Sequence, residues 1–82
     1  MHTIELLEEA LVLAENEGFF VRRQWLGETA GGACRIGDRK VLFVNLSFTA
    51  DEQLKQVVAD LRCSQISTDL SACSNTLRRM LS

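Results

Sequence analysis

In this chain of 82 residues Cys34 could in principle act as a nucleophile, and Cys34, Cys63, Cys73 and His2 could together form a tetrahedral metal set. Nucleophilic catalysis needs a base within hydrogen-bond reach of the attacking group. The single histidine adjoins the amino terminus, where side chains are rarely held well enough for proton transfer. Cys34 reads instead as a small apolar side chain on a buried sheet face, since free cysteine is among the most buried residue types. A structural zinc site usually pairs its ligands at close spacing, whereas the gaps here are wide and irregular. Cys73 also falls within an apolar stripe that packing explains. The expectation is therefore no catalytic residue, no bound metal, no cofactor and a protein that is not an enzyme.

Two further groups could bind anions. The run Gly27-Glu28-Thr29-Ala30-Gly31-Gly32 has the glycines of a phosphate-cradling loop. Such a loop feeds a helix and usually ends in Lys followed by Ser or Thr. This one lies between two expected strands and carries Glu28, so it reads as a strand connection. The second group is basic. Arg22 and Gln24 alternate onto one face of an expected strand beside Phe20, and Arg35, Arg39 and Lys40 follow. Basic and aromatic side chains on a sheet face can hold single-stranded nucleic acid. The competing reading is a solvated sheet face whose arginines pair with glutamates of the first helix. Trp25 reads as a core or edge-covering side chain.

The elements that must position these residues follow from periodicity. Ile4, Leu7, Leu11 and Ala14 recur at helical spacing over 4–17, with Thr3 expected as the amino-terminal cap and Gly18 as the left-handed terminator. Residues 19–26 and 33–36 are expected strands, and 41–46 is a third. Gly37-Asp38 or Asp38-Arg39 supplies the tight turn before it. Thr49 and Glu52 form a capping box for a helix that ends near Cys63, with Leu54, Val57, Val58 and Leu61 as its buried stripe. Ile66, Leu70, Cys73, Leu77 and Leu81 repeat at helical spacing within poor helix formers. They predict a last helix over 67–80 that forms only by packing.

The third strand, Val41-Leu42-Phe43-Val44-Asn45-Leu46, is apolar on both of its alternating faces. Either turn places Cys34, Ile36, Val41 and Phe43 on one side, and Arg35, Leu42, Val44 and Leu46 on the other. A strand greasy on both sides needs two covers. The first two helices are expected on the Cys34–Phe43 side. The last helix, or a second copy of the chain, is expected on the other, which makes Leu42, Val44, Leu46, Leu70 and Leu77 the candidate interface.

Composition fits this picture. Hydrophobic residues make up 46% of the chain and charged residues 24%, with a net charge of −2. The first twenty residues carry five glutamates and no Lys or Arg, and residues 21–41 carry a positive excess of three. No apolar stretch is long enough for a membrane span. An odd cysteine count and a start without export features lead to the expectation of reduced thiols in a cytoplasm.

The stretch Gly31-Gly32-Ala33-Cys34-Arg35-Ile36-Gly37-Asp38-Arg39-Lys40-Val41-Leu42-Phe43-Val44-Asn45, with the helix from Glu52 to Arg62, resembles short bacterial proteins of unassigned function. This likeness covers about half the chain and carries no functional residue. The strand-then-helix order is also similar to small bacterial zinc metallopeptidases, whose helix holds His-Glu-x-x-His. The corresponding Val57-Val58-Ala59-Asp60-Leu61 has no histidine. The sequence thus predicts a single α+β domain over 1–82: a helix, a three-stranded antiparallel meander and two helices. The expected role is a non-enzymatic interaction module that forms a homodimer or joins another protein. The alternative is nucleic-acid or anion binding through Arg22, Arg35, Arg39 and Lys40.

Overall fold

The computed structural model describes residues 2–28, 31–63 and 74–81. The elements are α1 (Thr3–Asn16), β1 (Phe19–Gln24), β2 (Gly32–Ile36), β3 (Arg39–Asn45), α2 (Ala50–Cys63) and α3 (Asn75–Leu81). The class is α+β, as the periodicities indicate. The last helix, expected over 67–80, starts only at Asn75, where Ser74 caps it with Oγ accepting the Leu77 N–H (3.2 Å); positions 67–73 lie outside the described residues.

The local signals hold in most places. Gly18 takes φ +94° and its N–H donates to the Glu15 carbonyl, closing α1. The capping box forms, with the Thr49 N–H donating to Glu52 Oε1 (2.9 Å) and the Glu52 N–H to Thr49 Oγ1 (3.2 Å). One cap differs. α1 starts at Thr3 itself, and His2 occupies the cap position without a side-chain bond.

The sheet is mixed rather than an antiparallel meander. Its order is β1-β3-β2, with β1 parallel to β3 and β2 antiparallel to it. Consecutive strands pair more often than not, which is why a meander is the sequence expectation. Here the strand whose run Val41-Leu42-Phe43-Val44 is apolar on both faces takes the centre, and β1 and β2 become edges, where water reaches their outer backbone groups. To reach that order, the connection from β1 to β2 passes over the carboxyl end of β3. Asn45, fully buried, pins it there. The Leu26 N–H donates to Asn45 Oδ1 (3.1 Å), and Asn45 Nδ2 donates to the Gly27 carbonyl (3.0 Å). The Ser47 N–H adds a bond to Asn45 Oδ1 (2.9 Å). At the far end of the connection, Gly31 is pressed against β3: a Cβ there would stand 2.3 Å from the Phe43 carbonyl oxygen.

The covered face is the opposite of the one expected. α1 and α2 lie on the Leu42–Val44 side, where both residues are fully buried in one cluster with Leu7, Leu11, Phe19, Leu54, Val57 and Leu61. Leu77 of α3 enters the same cluster and closes it between α1 and α2. Each such aliphatic side chain contributes about 1.5–3 kcal/mol when fully buried. The outward alternation of Arg22 and Gln24 in β1 explains the choice. With β1 parallel to β3, they share the side of Val41 and Phe43, and a helix there would have to bury them unpaired. Cys34 is consequently exposed instead of buried, and Trp25 stands out in solvent instead of in the core.

Candidate interaction surface

Phe20, Arg22 and Gln24 project from β1 onto the helix-free face. Val41 and Phe43 project from β3, and Cys34 and Ile36 from β2. Val41 is buried by its neighbours within the sheet, whereas Phe20 is 51% and Ile36 58% exposed. Arg39 lies at the hairpin end with its guanidinium carbon 5.3 Å from the centre of the Phe20 ring. These side chains enclose a shallow hollow of about 300 Å³ whose described lining contains no carboxylate. The sheet face therefore has an apolar middle and two arginines beside it.

The residues singled out from sequence separate. Arg22 and Arg39 reach this face. Arg35 sits opposite Lys40 in the β2–β3 register and shares the helix side with it. Lys40 is engaged there: its ammonium donates to the Glu17 carbonyl (2.8 Å) and lies 4.7 Å from the centre of the Phe19 ring. It neutralises the negative end of α1, where carbonyls lack helical partners. The four-residue cationic patch is thus two pairs on opposite sides. The arginine that meets α1 is Arg23, 2.7 Å from Glu8, rather than Arg22.

The candidate interface also divides. Leu42, Val44 and Leu77 are wholly inside a single chain and offer nothing to a partner. Leu46, in the turn after β3, is 45% exposed. Leu70 lies outside the described residues. Ile36 and Phe43, expected under the first two helices, lie on the helix-free face together with Phe20, which the sequence placed beside Arg22 and Gln24. The common face of 34, 36, 41 and 43 was legible in their alternation. The missing information was the register of β1 against β3.

Cys34 and Cys63 are both exposed thiols. Among the described residues no three His, Cys, Asp or Glu side chains group to hold a metal ion. Among them too, no helix is long and apolar enough to cross a membrane. Compared with known proteins, the chain matches no family model, no curated protein and no solved structure.

Proposed function

We propose that this protein is a non-enzymatic interaction module that associates with a second copy of itself along the helix-free side of its sheet. The observation that carries this reading is the placement of Phe20, Ile36 and Phe43 on a sheet face that no described helix covers. Exposed aromatic and aliphatic side chains clustered on one face are the surface that association removes from water. A small domain with a thin core gains most from such contact.

A second reading is favoured by one feature of the same face. Phe20 under the Arg39 guanidinium, with Arg22 nearby and no carboxylate around the hollow, is suited to an anionic or nucleic-acid ligand. Against it, Arg35 and Lys40 face the other way, and the whole chain is acidic.

Mass by light scattering over a range of concentrations tests the first reading. Twice the chain mass is expected for the wild type. Ile36→Lys, at an exposed position, is expected to return the mass to one chain while circular dichroism reports a native fold. A wild type that stays at one chain mass throughout overturns self-association. Titration with single-stranded oligonucleotide at low salt then tests the second reading. Salt-sensitive binding that Arg22→Ala removes would establish it in place of the first.

A further inference from the structure

β2 is an edge strand: among the described residues no strand lies beside its outer backbone groups. It pairs with β3 only, and its register runs without a bulge from Gly32↔Phe43 to Ile36↔Arg39. Proline is absent from the chain, and Ala33, Cys34, Arg35 and Ile36 are all exposed. Soluble proteins usually protect such an edge with proline, a bulge, a short strand or an inward charge; β2 has neither of the first two, and its guards are its five-residue length and Arg35.

The phase of its free hydrogen bonds is determined by the turn. Gly37-Asp38 is a two-residue connection, so Ile36 and Arg39 form the hydrogen-bonded closing pair. Alternation then turns the backbone N–H and C=O of Gly32, Cys34 and Ile36 toward β3. Those of Ala33 and Arg35 turn to the open edge.

We infer that two copies join through this edge, β2 against β2 in antiparallel pairing about a two-fold axis at Cys34, making one six-stranded sheet. The inference rests on the self-association proposed above and places its backbone seam at the β2 edge; Ile36 is the exposed apolar residue of the helix-free side that the seam covers, and Phe20 and Phe43 stay on the open face of the joined sheet. In this register Ala33 of one copy faces Arg35 of the other, and both have outward backbone groups. Four hydrogen bonds therefore close the seam, as in other strand additions. Every cross-axis pair is sterically matched. Ile36 faces Gly32 of the other copy on the helix-free side, and Arg35 faces Ala33 on the helix side. No arginine is set directly against another. The Cys34 residues meet as a non-hydrogen-bonded pair, whose Cα atoms stand about 4.5 Å apart. That separation falls within the range of roughly 4.4–6.8 Å that a disulfide spans.

Two measurements test the seam. The full chain is treated with diamide, which takes two electrons and two protons from a thiol pair and leaves a disulfide. A mixture of ¹⁴N- and ¹⁵N-labelled protein identifies links between copies by peptide mass spectrometry. The expected product is Cys34 joined to Cys34 across copies. In the second measurement, Ala33→Pro deletes an outward N–H and leaves the β3 ladder intact. It is expected to weaken the dimer about thirty-fold, through two lost hydrogen bonds at their usual net worth. A dimer that forms with Cys34 unlinked, or linked only to another cysteine, overturns the seam and leaves self-association standing. So does a dimer that Ala33→Pro leaves at full affinity while circular dichroism reports a native fold. A chain that is monomeric at every concentration overturns both.

Discussion

Asn45 is the one buried polar residue among the described residues. It is fully buried, and its amide joins the end of β3 to Leu26, Gly27 and Ser47. Removing that amide takes the acceptor from the part-buried Leu26 and Ser47 N–H groups and leaves the Gly27 carbonyl to Ser47 Oγ (2.7 Å). Asn45→Ala is expected to destabilise the fold by about 2–4 kcal/mol, near the upper end for a lost buried network. Urea denaturation followed by Trp25 fluorescence measures this. Asn45→Asp keeps the acceptor but loses the donor to Gly27, and it is expected to fall between the wild type and Ala. In the sequence, Asn45 appears only as the polar end of an apolar strand. Nothing near it in the chain announces a bond to Gly27, because that contact depends on where the connection crosses. Phe20 and Ile36, by contrast, were assignable to a face by alternation alone.

At the scale of elements, the helices and the hairpin were legible because their signals are local. Thr49 and Glu52, Gly18, and Gly37-Asp38 each act within a few residues of their own position. The pairing of β1 was not legible. Its six residues suit either neighbour, and only tertiary packing places it parallel to β3 with Arg22 turned from the helices. The covered face was missed for the same reason: it follows from the register in which β1 sets Arg22 and Gln24 beside Phe43 and Asn45. The cationic patch was read from composition, yet Lys40 is used within the fold as the clamp on the end of α1. Lys40→Met retains most of the apolar stem and removes the charge. It is expected to cost about 1–2 kcal/mol through the helix terminus, its hydrogen bond and the Phe19 ring contact. Thermal unfolding at low and high salt checks the assignment, since part of the loss should shrink as salt screens the helix end.

Across the whole molecule, one side is closed and the other is open. The helices and the inner face of the sheet share a single cluster, whereas the outer face and the β2 edge meet solvent. The parallel register of β1 with β3 has a further consequence, in time rather than in space. The β2–β3 hairpin closes over two residues, but Phe19 meets Lys40 only after the intervening chain has looped back. Loop entropy disfavours that closure until the hairpin exists to receive it. Val21→Ala, at the contact of β1 with the core, is therefore expected to lower stability by about 1 kcal/mol. The loss should appear mainly as faster unfolding, with the refolding rate nearly unchanged, in stopped-flow mixing. Until β1 arrives, the central strand has both a vacant flank and an uncovered side, so the newly collapsed chain is at its most adhesive in that interval.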